Sequence, residues 1–274
     1  MTGSGVTGLM ARIDDAWDAL SPQEQRVAGF LRARPDESAL YNSSELARLT
    51  GVSKATVSRL FRRLGFSWSH EVRDLLRAQR GAGVPVAVGA GADPFADDVE
   101  RLRRLGAGLD RAALAAAAAA IAAAPRVVVA GFRSGFPIAM LLRQALLQAR
   151  PDVRLVPDAG QTLGEELVGI GPDDAVVLVG LRRRPAAFDG VLAAARAATP
   201  NVVLIADPSL RAAPGRWRFD VEIESASPFD SYAAVATLVS LLAGEVLDAL
   251  GAPGAARVAA IDRAYAALGE LEPS

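Results

Sequence analysis

The stretch NSSELARLTGVSKATVSRLFRRLGF, Asn42 to Phe66, leaves this chain little choice of local fold. Asn42 is a suitable N-cap and Glu45 follows three residues later as in a capping box, so a helix is expected from Ser43. Leu46 and Leu49 give that helix an apolar face, and Gly51 ends it where a residue tolerating positive φ is needed. Val52 plugs the turn. Ser53 then caps a second helix with Ala55, Val57, Leu60, Phe61 and Leu64 inward, until Gly65 stops it. Two short helices joined by about three or four residues containing glycine form the helix-turn-helix used on DNA.

On this reading the second helix exposes Ser53, Lys54, Thr56, Ser58, Arg59, Arg62 and Arg63, with Ser43 at the start of the first helix as a further polar contact. Hydroxyls and cations of this kind suit base edges near a helix N-terminus and phosphates around it. The plainer alternative is an ordinary helical corner with solvated cations. The flanks favour DNA. Ser21, Pro22 and Glu24 read as a helix start, with Val27, Phe30 and Leu31 on its apolar side and Pro35 beyond its end. Val6 to Leu20 forms a preceding helix with Leu9, Ile13, Trp17 and Leu20 inward. Trp68 and Val72 to Ala78 complete a domain over residues 1–80. Those residues hold twelve Lys plus Arg against nine Asp plus Glu, a net of +3 within a chain of net −1. Nucleic-acid contact is therefore expected in this part alone.

From Leu20 to Phe66 the sequence resembles the N-terminal domain of the RpiR/MurR family of bacterial transcriptional regulators, including the run Ser53, Thr56, Val57, Arg59, Leu60, Leu64, Gly65 and Phe66. The resemblance implies a helix-turn-helix DNA-binding domain joined to a C-terminal sugar isomerase (SIS) domain that senses a phosphorylated sugar.

Read on its own residues, the second part begins after a Gly- and Pro-rich linker at residues 81–95 and fills residues 96–274. Phe95 to Leu109 and Arg111 to Ala124 read as helices, the second alanine-rich. Apolar runs at Arg126 to Ala130, Val153 to Val156, Ala175 to Val179, Val202 to Ile205 and Val221 to Ile223 then alternate with helices at Pro137 to Gln148, Thr162 to Ile170, Ala186 to Ala198 and Tyr232 to Leu250, the last capped by Asp230 or Ser231. Strands alternating with helices predict an α/β unit with a parallel sheet flanked by helices.

In such sheets ligands lie outside the carboxyl ends of the strands. The loop Gly131 to Gly135 places Arg133, Ser134 and the following helix N-terminus there, a setting for a phosphate or carboxylate, or simply a tight turn. The resemblance implies a second, hydroxyl-rich phosphate loop after a later strand, yet this chain reads Gly180-Leu-Arg-Arg-Arg-Pro185. Arg182, Arg183 and Arg184 can hold an anion by charge and bidentate bonding, or be a solvated or subunit-facing loop. Ser227 is a further ligand candidate.

The chain has no cysteine and one histidine, His70, which excludes thiolate chemistry and argues against a zinc site or any other metal or cofactor. Glu165 and Glu166 are the remaining acid/base candidates of the second part, and adjacent carboxylates on a helix usually face solvent. The longest apolar run, Ala112 to Pro125, is too short and alanine-rich to span a bilayer, so no membrane contact and a cytoplasmic location are expected. The combined expectation is a non-enzymatic, ligand-responsive regulator. It would bind an inverted-repeat operator as a homodimer or homotetramer and sense a small anionic metabolite. The rivals are a sugar-phosphate isomerase with an accessory helical domain, and a DNA-binding protein whose α/β part only oligomerises.

Overall fold

The structure is a computed structural model and describes residues 6–33, 43–66, 93–158, 162–211, 215–225 and 229–271. Asn42, Trp68, His70, residues 72–78, most of the expected linker and Ser227 lie outside the described residues. The chain divides into two units, Met1–Asp97 with Glu224–Ser231, and Asp98–Ile223 with Tyr232–Ser274.

In the first unit α1 (Val6–Ala16) runs into a 3-10 turn at Trp17–Ala19 and is followed by α2 (Pro22–Ala33), α3 (Ser43–Thr50) and α4 (Lys54–Arg63). The expected capping box opens α2: Ser21 N donates to Glu24 Oε2 at 2.9 Å and Glu24 N to Ser21 Oγ at 3.3 Å. Ile13, Leu20, Val27, Ala28, Leu31, Leu46, Ala47, Val57, Leu60, Phe61, Leu64 and Phe66 form one core. Leu49 is exposed and Ala47 buried in its stead, so the inward face of α3 is set by residues 43, 46 and 47. Gly51 takes φ +66°, which closes the turn without the strain a side chain would bring. Arg12 fastens α1 to the end of α4 by donating to Leu64 O at 2.9 Å while its guanidinium lies 4.9 Å from the centre of the Phe66 ring.

The second unit holds α5 (Pro94–Gly108) from Asp98 onward, α6 (Arg111–Ala123), β1 (Val127–Gly131), α7 (Gly135–Ala149), β2 (Val153–Val156), α8 (Leu163–Val168), β3 (Ala175–Gly180), α9 (Phe188–Ala198), β4 (Asn201–Ala206), β5 (Trp217–Asp220), α10 (Ala233–Leu250) and α11 (Ala252–Leu268). The linker is shorter at its end than residues 81–95, because α5 already includes Pro94 and Phe95. All neighbouring strands are parallel, in the order β2-β1-β3-β4-β5. Side chains alternate between the two faces. Val127, Val129, Val177, Val203 and Ile205 pack under α6, α7 and α10, while Val128, Val176, Leu178, Val202 and Leu204 pack under α9.

The last strand falls at Trp217–Asp220 rather than Val221 to Ile223: on this edge strand only Trp217 and Phe219 turn inward, and the apolar residues after it are buried outside the ladder. Neither expected residue occupies the cap position of α10. Tyr232 does, without a side-chain capping bond. Helix α10 is long and apolar enough to cross a membrane by length and composition, which the sequence reading missed. Its Val235, Leu238, Val239, Leu242 and Val246 are buried in the core formed with α6 and α7. Arg150 completes the frame. Its buried guanidinium donates to Ile121 O, a carbonyl that the end of α6 leaves open, and to Pro125 O just beyond the helix at 2.9 Å.

Candidate functional site

The candidate sites are two, the outer face of α4 and the carboxyl ends of β1 and β3. Helix α4 buries Thr56, Val57, Leu60 and Phe61. Lys54, Ala55, Arg59 and Arg62 are exposed and Ser58 is half-buried, at the spacing that forms a single stripe. The sequence had Ala55 inward and Thr56 outward. Thr56 is 1% exposed because its hydroxyl has partners inside: it donates to Gln23 Oε1 at 3.3 Å and lies 2.9 Å from Ser53 Oγ. Ser53 is the N-cap, accepting from Thr56 N at 3.1 Å.

Two other expected DNA contacts change character. Ser43 is buried, since it shares the inward face of Leu46 and Ala47. Arg63 bends back to the 3-10 turn and α2, donating to Ala19 O and lying 3.9 Å from Glu24 Oε2. Arg59 and Arg62 bond within their own helix, to Thr56 Oγ1 and Ser58 O, each at 3.4 Å. Burial works to raise the Glu24 carboxyl, but the hydrogen bonds from Ser21 and the charges of Arg63 and Arg59 together hold it below its ordinary value of 4.5.

In the second unit the chain runs from β1 to β2 on one side and then to β3 on the other, so the crevice of this sheet opens between β1 and β3. Gly131 ends β1 opposite Val179, and a Cβ on it would stand 2.5 Å from Gly135 O and 2.7 Å from Ala139 Cβ. That approach seats α7 against the strand. The helix begins at Gly135, earlier than expected, and its first donors are spent: Gly135 N bonds Phe132 O at 2.8 Å and Phe136 N bonds Arg133 O at 3.1 Å, while Pro137 has no N–H. What the loop presents is the half-buried Ser134, whose hydroxyl makes no capping bond, and the exposed Arg133 at φ +52°.

The three arginines after β3 do not act as one cradle. Arg182 is buried. Arg184 donates to Asp207 Oδ2 at 2.7 Å, Gly180 O at 2.8 Å and Ser209 Oγ at 2.9 Å, so it ties the loop after β3 to the loop after β4. Asp207 explains this: its carboxylate is buried and needs a cation. Arg183 remains exposed, at φ +56°. Phe132 and Phe188 meet edge to face beneath the two loops, with ring centres 6.3 Å apart. Of the two carboxylates considered for acid/base work, Glu166 faces Arg154 at 3.8 Å and Glu165 is exposed. A cavity of about 320 Å³ opens away from the crevice, between α5 and β5; around it Arg101, Arg104 and Arg218 pair with Asp98, Glu222 and Asp220.

Residues 7–78 match the model of the helix-turn-helix domain of the rpiR family. The first part of the chain is thus a helix-turn-helix domain of the rpiR type. No curated protein matches the chain in sequence. Among solved structures, the sugar isomerase domain of the RpiR transcription factor from Sphaerobacter thermophilus is similar over 62% of this chain and 96% of its own length, with 22% identity and a TM-score of 0.56. The NanR protein of Vibrio vulnificus, solved in complex with ManNAc-6P, is similar over 95% of this chain and 98% of its own, with 17% identity and a TM-score of 0.55. The rpiR-family domain is thus followed in this chain by a SIS fold.

Proposed function

We propose that the protein is a transcription regulator in which α4 enters the major groove and the SIS-fold unit senses a small anionic metabolite. The observation that carries the reading is the stripe Lys54, Ser58, Arg59 and Arg62 on the second helix of an rpiR-family domain, in one chain with a sheet whose crevice bears Arg133, Ser134 and Arg183. A sugar phosphate is the first ligand to test, since the NanR protein with the same fold was solved with ManNAc-6P. Arg184 and Arg182 take part by shaping the crevice rather than by meeting the ligand. Two chains related by a two-fold axis would read an inverted repeat in the cytoplasm. The domain boundaries proposed for this division are 1–80 and, with the whole of α5 counted, 94–274. A sensor without turnover is supported by Glu166, which faces Arg154 instead of an open site.

The test is a thermal melt of the full chain with ManNAc-6P, other hexose and amino-sugar phosphates, and inorganic phosphate, combined with binding to duplexes selected from a random pool. A compound that raises the melting temperature and changes duplex affinity at least severalfold is expected. Stabilisation by none of them would leave oligomerisation as the role of the SIS fold. Turnover of a sugar phosphate would revive the isomerase.

A further inference from the structure

We propose that Ala55 reads a thymine, its methyl group packing on the C5-methyl of that base in the major groove. The proposal rests on the DNA-binding reading of α4 and adds to it the identity of one recognised base. Ala55 stands in the first turn of α4, directly after the Ser53 cap and the first helical residue Lys54. Its side chain is exposed, and it shares the outward stripe with Ser58, Arg59 and Arg62 at spacings of three, four and seven. It is the one apolar residue of that stripe; the others are hydroxyl or cationic.

The first turn is where a recognition helix reaches base edges, while cations further along meet phosphates. Base edges in the major groove offer hydrogen-bonding atoms at every pair, and the thymine methyl is the apolar feature among them. A methyl on the protein facing polar edges would displace their water and return no hydrogen bond. Facing a thymine it exchanges water for contact. The direction of Ala55 is fixed, because the helix cannot turn about its axis without breaking the bonds of Thr56 to Gln23 and of Arg63 to Ala19.

In the experiment the full chain selects duplexes from a random-sequence pool, and each thymine of the selected sequence is exchanged singly for deoxyuridine, which removes only the methyl. The wild-type chain is expected to bind about fourfold more weakly at one thymine of the recognised sequence, the value of one buried methyl group. In Ala55→Gly the ratio of thymine to deoxyuridine affinity falls to near one. Because that ratio is taken within one protein, any loss of folded fraction in the glycine variant cancels, and the wild-type scan stands without the variant. Overturning results are a wild-type chain indifferent to every thymine methyl, or a ratio unchanged in Ala55→Gly; both leave DNA binding intact. Failure to select any sequence would remove the reading of α4 along with the proposal.

Discussion

On α4, Arg59 and Arg62 stand on an outward stripe and bond to their own helix, whereas after β3 Arg184 reaches across to Asp207 and Ser209 and Arg182 is buried. The difference lies in the carboxylates within reach. Beneath α4 there is Glu24, and Arg63 is the residue 3.9 Å from it. Beside the β3 loop there is Asp207, and Arg184 neutralises it at 2.7 Å. Runs of arginine that look alike in sequence thus divide into charge turned outward for a partner and charge that holds the fold.

The most direct way to break this contrast is Arg184→Met. Removing one partner of a buried ion pair should cost about 3–5 kcal/mol of unfolding free energy, measured by urea denaturation of the SIS-fold unit's transition, while the exposed Arg183→Met stays within about 0.5 kcal/mol. Equal costs would mean that the two arginines do the same work. Next in size is Gly131→Ala. Its Cβ would meet Gly135 O at 2.5 Å, backbone that cannot retreat without shifting α7, so a loss of about 1–3 kcal/mol is expected by the same measurement. An undisturbed melt would show that the β1 loop is looser than its geometry.

For the DNA face, Arg62→Ala should lower the slope of log affinity against log salt by about one. Arg63→Ala should leave that slope closer to wild type and lower the melting temperature of the helical unit instead. If Arg63→Ala changes the slope as much as Arg62→Ala, the guanidinium leaves Glu24 when DNA arrives.

The smallest effect concerns Glu24. Its carboxyl sits below its ordinary 4.5 in the folded unit, so on acidification the unfolded chain takes up the proton first. The stabilisation is full above pH 4.5, and it is lost as the pH falls through that value and then through the folded one. Glu24→Gln should flatten this part of the stability profile at a cost of about 1 kcal/mol, the worth of a cap, as read by thermal melts from neutral pH downward. A profile identical to wild type would place the acid sensitivity elsewhere.

The strands β1, β3 and β4 were legible because a strand buried on both faces is written as a continuous apolar run, and the edge strand β2 from Val153, Leu155 and Val156 although its Arg154 is exposed. The edge strand β5 was misplaced because WRFD alternates over four residues, which is a weaker signal than the buried Val221 and Ile223 that follow. Helix α11 went unread although Gly251, Pro253 and Gly269 bracket it, since its apolar residues show no marked face. At the DNA face the turn of α4 was off by one residue. Thr56 carries a methyl and a hydroxyl, suits either side of a helix, and was drawn inward by Gln23, 33 positions earlier in the sequence. The arginines after β3 were legible as charge but not as partners, because Asp207 is 23 positions later than Arg184.

Helix α10 also sets an order of events during synthesis. All five strands leave the ribosome before Ala233, yet the face made by Val127, Val129, Val177, Val203 and Ile205 is closed only when α10 joins α6 and α7. At ordinary rates of about 5–20 residues per second, the emerging sheet carries an open apolar face for at least a second or so while Ala233–Leu250 follows. Over that interval the domain's most apolar helix is still missing from the sheet, so the nascent chain exposes an apolar face that the finished protein covers.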